Sequence, residues 1–316
     1  MYSNLYDSVQ PVEYIYSSFD NYTSFQISNI ERYSSKIKML RTKSSIRIFF
    51  YANATSWYKN ICDTILNSLA FPNIEYTNID PDISILEIIE SRSVKPPESS
   101  IVILINGEAN QTPPFPVELS IQMDKTKQDY PILHYPLLFY SIDPIPIKPK
   151  SKFCAFMYSM SYHHRDEIFH SLHKLRSVDG LGAACNNISI PSTRHLDYNK
   201  IAVETYTDYY FVLAIENKWC EGYSTEKLIN PILANSIPIY WGHPNLFNYI
   251  NKKRVIYYPD YASVEELYSY LERLMNNENE YLAILNEPTY LPNKDLTSLN
   301  NELLKQLQDF FSNEIS

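Results

Sequence analysis

The chain has 316 residues, 45% of them hydrophobic, and a formal charge of −9. Its length supports two ordinary domains or one large one, and its hydrophobic share excludes disorder as a global description. The negative charge argues against a nucleic-acid or acidic-membrane binder, so any anionic ligand must be held by a few local cations.

Residues 1–44 are rich in Ser, Tyr and Asn, show no clear period, and read as an N-terminal extension of uncertain order. From Ser45 the text becomes regular. "IRIFFY" reads as a strand, and Ile61, Ile65 and Leu69 put a helical stripe through "YKNICDTILNSLA". "IEYTNI" follows as a strand, "ISILEII" as an apolar-periodic helical segment, and "SIVILI" as a buried strand. This alternation predicts a mostly parallel sheet flanked by helices over residues 45–147.

The proline-rich "DPIPIKPKSK" reads as an interdomain linker. A second alternating set fills residues 148–292. "KFCAFMYS" is a strand, "RDEIFHSLHKLRS" a helix and "YYFVLAIEN" a strand. "TEKLINPILANSIPIYWG" supplies a further helix and strand, with "RVIYY" and a helix over Ser263–Met275 after it. In residues 293–316, Leu303, Leu304, Leu307, Phe310 and Phe311 form an amphipathic closing helix. The whole predicts an α/β chain of two Rossmann-like domains facing a cleft, the GT-B layout, with the ligand beyond the carboxyl ends of the strands.

Four cysteines, Cys62, Cys154, Cys185 and Cys220, are widely spread without a CxxC pair, and read as buried thiols of a reducing compartment. The text contains no apolar run of about 18 residues and no basic-then-apolar start, which predicts a soluble, cytoplasmic chain. The sequons at Asn21, Asn53, Asn110 and Asn187 therefore carry no weight.

Average usage would give about 22 glycines in a chain of this length. This one has five. Gly107 follows "SIVILIN", Gly222 lies in the loop after "FVLAIEN", and Gly242 ends "IPIYW". All three fall at predicted strand ends, on the rim where α/β folds bind ligands, while Gly180 and Gly182 fit ordinary turns.

Lys227 stands in the first turn of its predicted helix, behind a Ser224 or Thr225 cap. It has the wrong sign for the helix dipole unless it faces an anion, though a solvated surface lysine fits these residues equally. Arg165 likewise opens the helix that carries Ile168, Phe169, Leu172 and Leu175 on one face. Two such cations in two successive βα units point to one anion between them.

"FVLAIENKWCEGYSTEKLINPILANSIPIYWGHPNL" resembles the donor-binding signature of the family 10 glycosyltransferases, the α1,3/α1,4-fucosyltransferases. "KFCAFMYSMSYHHRDEIFHSL" resembles the family's strand, turn and arginine-led helix. "INGEANQTPPFP" with "DYPILHYPLL" is similar to its Gly-Glu-Asn turn and following Pro-Leu segment. Clear resemblance covers about residues 152–290 and fades towards residue 45.

The resemblance implies GDP-fucose as donor and a glycan hydroxyl as acceptor, with an α1,3 linkage to an N-acetylglucosamine or glucose unit. Lys227 and Arg165 would contact the pyrophosphate, with Asn217 beside it. Tyr223 and Glu226 would hold the ribose, a carboxylate being a strong acceptor for sugar hydroxyls. Glu108 would be the catalytic base of an inverting transfer, which needs a carboxylate within hydrogen-bond reach of the acceptor hydroxyl. Here the family's Gly-Glu-Asn is Gly-Glu-Ala, His134 replaces the usual arginine, and Ser224 replaces valine. Another GDP-sugar, or a catalytically silent glycan- or nucleotide-binding protein, are the competing readings.

Two cations can neutralise a leaving pyrophosphate, so neither a metal nor another cofactor is required. Asp80-Pro81-Asp82 is too short a match for a metal–nucleotide motif and reads as a turn and helix cap. His163, His164, His170 and His173 crowd one helix, but a zinc site needs a closed ligand set.

Overall fold

The computed structural model describes residues 24–51, 56–69, 71–88, 90–109, 111–125, 130, 132–135, 145–188 and 198–312. The sequons at Asn21, Asn53 and Asn110 lie outside them, as do parts of the N-terminal extension, the linker and "DYPILHYPLL".

Two parallel sheets organise the described residues. The first contains β1 (Ile46–Phe50), β2 (Ile74–Tyr76), β3 (Ile83–Glu87), β4 (Ile101–Asn106), β5 (Leu119–Gln122) and β6 (Ile132–His134). Their order is β2-β1-β3-β4-β5-β6, and every neighbouring pair is parallel. The second contains β7 (Lys152–Phe156), β8 (Asp179–Gly180), β9 (Tyr209–Ile215), β10 (Ile237–Trp241) and β11 (Ile256–Tyr257). It runs β8-β7-β9-β10-β11, again parallel throughout. In each sheet the chain reverses its direction of growth beside the first strand. The second sheet consequently has a switch point between β7 and β9, where doubly wound sheets open a crevice for ligands.

The described helices are α1 (Ser24–Arg41), α2 (Ser56–Ser68), α3 (His163–Leu175), α4 (Tyr198–Tyr206), α5 (Glu226–Leu233), α6 (Val264–Asn276), α7 (Glu278–Leu285) and α8 (Leu296–Ser312). None is long and apolar enough to cross a membrane.

"ISILEII" is not helical. It forms β3, held on both sides by β1 and β4, and Ile83, Ser84, Ile85 and Leu86 are all buried. A central parallel strand is covered on both faces, so its apolar run loses the clean alternation of an amphipathic strand. Its buried polar side chain is satisfied, with the Ser84 hydroxyl 2.7 Å from that of Ser100. Asp80 and Asp82 accordingly cap no helix. Asp82 instead accepts from the Arg47 backbone N–H at 2.9 Å and from Lys43 Nζ at 2.5 Å, tying the turn to the start of β1.

Within the predicted extension, α1 is part of the first core. Tyr33, Ile37 and Leu40 repeat at helical spacing and are buried there. Lys36 reaches between them, donating to the Ser100 carbonyl at 2.6 Å and to Glu118 at 2.8 Å. The other Glu118 oxygen accepts from the Val102 N–H at 2.7 Å. Lys36→Met takes the ammonium away from this buried carboxylate, so it should lower stability by about 3 kcal/mol in urea unfolding. A loss under about 1 kcal/mol would mean that the pair does not hold α1 to the sheet.

The last helix returns the chain to the first domain. Leu299, Leu303 and Leu307 form its buried seam, with Leu304, Phe310 and Phe311 beside it. It packs against α2, and Phe310 stacks on Tyr33 of α1 at 4.3 Å between ring centroids. The linker end is pinned to the second domain instead. Lys150 donates to the carbonyls of Thr207 and Ala234, at the ends of α4 and α5. All four cysteines are free, but only Cys62 and Cys154 are buried; Cys185 and Cys220 sit in loops and are half-exposed.

Candidate active site

Arg165 belongs to the first turn of α3, directly beyond β7, and α3 starts at Tyr162 without a side-chain cap. Its guanidinium is 2% exposed and lies over the Tyr158 ring at 4.0 Å, with the Tyr162 ring at 4.9 Å. Stacking on a tyrosine face fixes the guanidinium plane. Nη1 donates to the Met160 carbonyl at 3.3 Å and Nη2 to the Ile215 carbonyl at 3.1 Å, with Asn217 Oδ1 as a further acceptor. Its Nε has no protein partner, and no carboxylate among the described residues forms a salt bridge with it. A buried guanidinium bonded to neutral groups, at a helix start without a side-chain cap, is suited to receive an anion.

Lys227 comes from the next βα unit. Thr225 caps α5, and the Lys227 ammonium meets Thr225 Oγ1 at 2.9 Å, Glu226 Oε1 at 3.2 Å and Glu216 Oε2 at 3.6 Å. Burial pulls its pKa down, but the Glu226 and Glu216 carboxylates outweigh that and hold it above the ordinary lysine value. The Arg165 charge opposes them. Pro231 is tolerated inside α5, which is only eight residues long.

Glu216 holds Thr225 and Lys227, contacts that the motif reading did not assign to it. It is fully buried at the end of β9, accepting from Thr225 N–H at 2.7 Å and Thr225 Oγ1 at 2.8 Å. Burial pushes its pKa up while Lys227 pulls the other way. It clamps the start of α5 to β9, which aims Lys227. A carboxylate at the end of a buried strand, nine residues before a capping threonine, was the available signal.

Asn217 orients the guanidinium, since its Oδ1 accepts from Arg165 while Nδ2 donates to the Tyr223 hydroxyl at 3.4 Å. Tyr223 is 2% exposed, its ring packed into the first core. Glu226 is less buried than its neighbours and keeps a carboxylate at the cleft.

Glu108 follows β4 in the first domain, its N–H held by Asn106 Oδ1 at 3.0 Å. Burial raises its pKa above 4.5, Lys227 lowers it, Glu226 raises it, and Lys218 and Arg92 lower it. Charges from the second domain thus act on a carboxylate more than a hundred residues away in sequence. Lys218, another residue the motif reading passed over, closes the gap by donating from Nζ to the Ala109 carbonyl at 3.0 Å.

Of the rim glycines, Gly222 has the plainest cause. Its φ is +79°, and a Cβ there would stand 2.6 Å from the Met123 carbonyl oxygen and 2.7 Å from His134 Nε2. The small His134 ring fits against this glycine, with Nδ1 3.3 Å from the Tyr249 hydroxyl, and burial drops its pKa to about 4. Gly222→Ala should therefore cost about 2 kcal/mol or more by forcing the interface apart, read as a lower melting midpoint. An unchanged midpoint would show that the loop yields freely. Ser224 joins the same contact, its N–H on Met123 Sδ at 3.3 Å and its hydroxyl 3.4 Å from that of Tyr240.

The four histidines of α3 serve separate partners. His163 lies 3.7 Å from Glu167, and His164 Nε2 is 3.0 Å from the Glu216 carbonyl. His170 lies 3.9 Å from Cys185 Sγ, and His173 bonds to Val178.

Two parallel Rossmann-like domains with a C-terminal helix that returns to the first have the layout of the GT-B fold. A crystal structure of an α1,3-fucosyltransferase with GDP-fucose has this fold, at TM-score 0.61 and 20% identity, covering 86% of this chain and 92% of that one. Residues 147–301 match the C-terminal model of glycosyltransferase family 10 (fucosyltransferase). A protein of Acanthamoeba polyphaga mimivirus named as a fucosyltransferase is 39% identical over 300 residues, 88% of this chain and 49% of its own length. The Danio rerio GDP-fucose protein O-fucosyltransferase 3 is 31% identical over 156 residues, 46% of this chain and 31% of that protein. The chain thus spans about half the length, or less, of these relatives.

Proposed function

We propose that this protein transfers L-fucose from GDP-β-L-fucose to a glycan hydroxyl with inversion, forming an α1,3 linkage to an N-acetylglucosamine or glucose unit. The supporting observation is the bond from Lys218 Nζ to the Ala109 carbonyl at 3.0 Å, which brings the Glu108 turn to the domain that carries Arg165, Glu226 and Lys227. Glu108 takes the acceptor proton as the acceptor oxygen attacks the anomeric carbon. Its raised pKa makes it the stronger base once ionised. On the opposite side, Arg165 and the N–H groups at the start of α3 receive the departing diphosphate, with Lys227 adding its charge. Charge stabilisation of this kind does most where water is excluded, and Arg165 is buried. Tyr223 and Glu226 hold the ribose, and the two cations leave transfer independent of added metal.

A protein hydroxyl as acceptor is the second reading, favoured by the name of the Danio rerio relative. Thermal shifts with GDP and UDP, each with and without EDTA, test the donor side. GDP should raise the melting midpoint regardless of EDTA, and UDP should not. Equal shifts for both nucleotides would remove the GDP-sugar assignment.

A further inference from the structure

Two consecutive residues of the loop leaving β9 serve different domains. Asn217 stays within its own, where its Oδ1 accepts from Arg165. Lys218 crosses to the first domain and donates from Nζ to the Ala109 carbonyl at 3.0 Å. Ala109 has no polar side chain, so this carbonyl is its one acceptor.

Inside the first domain the Glu108 turn is tied by other bonds. Asn106, 1% exposed, accepts the Glu108 N–H on Oδ1 and donates from Nδ2 to the Gln111 carbonyl at 3.2 Å. Arg92 donates to Gln111 Oε1 at 2.9 Å. These bonds shape the turn without referring it to the domain that holds Arg165. A transfer with inversion needs the base and the departing diphosphate on opposite sides of one carbon. A misplacement of about 1 Å can then cost about 10²-fold in rate.

We propose that Lys218 is a positioning residue, which holds the Glu108 turn at a set distance from Arg165 by gripping Ala109 beside Asn217. This rests on the transferase reading above, and adds that the donor domain itself places the base. Lys218 is exposed, and one exposed bond to a carbonyl adds little to stability. Its loss should therefore show in the rate and not in the melting midpoint. Its charge has a second effect. Burial raises the Glu108 pKa, Lys227 lowers it, Glu226 raises it, and Lys218 and Arg92 lower it. Without the Lys218 charge the pKa moves up.

Steady-state kinetics with saturating GDP-fucose and a β-N-acetylglucosaminide, over a pH series, provide the test. Lys218→Met should lower the plateau kcat about tenfold or more, while GDP affinity by titration stays within about twofold. The acid limb of kcat/KM should move to higher pH. Lys218→Arg, which keeps a donor and a charge, should recover most of both. An unchanged plateau would overturn the positioning role, whether or not the acid limb moves. So would a loss of GDP affinity with the fold intact, which would make Lys218 a donor-binding residue. Hydrogen-exchange mass spectrometry on the GDP-loaded protein needs no turnover. A peptide carrying Glu108 and Ala109 should exchange faster in Lys218→Met and return to the wild-type rate in Lys218→Arg. Equal exchange in all three proteins would also overturn the proposal. A wild type whose turn is protected in this way but that moves no fucose supports the Lys218 contact and contradicts the transferase reading alone.

Discussion

Glu108→Gln should lower kcat for fucose transfer by about 10²- to 10⁴-fold, the usual range for a lost general base. Glutamine keeps the size and polarity of the side chain but cannot accept the acceptor proton, so GDP affinity should stay within twofold. The backbone bond from the Glu108 N–H to Asn106 Oδ1 survives the change, which preserves the turn. The pH profile offers a second readout. Because burial holds the Glu108 pKa above 4.5, the carboxylate is protonated and idle at low pH. In the wild type kcat/KM should rise with pH through that raised value and then level off. The rise should vanish in Glu108→Gln. A variant with the wild-type rate and an unchanged profile would remove Glu108 from the chemistry.

Arg165→Lys should weaken GDP binding about 100-fold and reduce kcat by a similar factor, as expected for losing an oriented donor at a site of developing charge. The substitution retains the charge and removes the plane. An ammonium cannot stack on Tyr158 while bonding to Met160, Ile215 and Asn217 at once, as the guanidinium does. Arg165→Ala should be worse still. Isothermal titration with GDP, followed by single-turnover kinetics, separates the binding loss from the chemical one. Full activity in Arg165→Lys would mean that a point charge suffices and that the orientation of the guanidinium is immaterial.

Much of this site was legible from local text. Arg165 and Lys227 are cations in first helical turns, where the dipole disfavours them, and that conflict pointed to an anion before any fold was known. Gly222 was marked by the scarcity of its kind, and its positive φ supplies the reason. The partners of these residues were harder to see. Glu216 looks like one more residue at a strand end, and only the return of α5 onto β9 brings Thr225 and Lys227 to it. Lys218 owes its place to a contact between domains, which periodicity does not report. "ISILEII" misled for a related reason, because burial of β3 on both faces erases the alternation that marks a strand. The register of α1 was hidden as well. Its stripe of Tyr33, Ile37 and Leu40 is interrupted by a half-buried lysine, Lys36, paired with Glu118.

Incubating the protein with GDP-β-L-fucose and a β-N-acetylglucosaminide, and reading the product by NMR, tests fucose transfer across this cleft most directly. The expected product carries fucose as an α-anomer, with one equivalent of GDP released. A β-linked product would contradict attack by a Glu108-activated hydroxyl on the face opposite the leaving GDP, and absence of transfer would contradict the proposed activity itself.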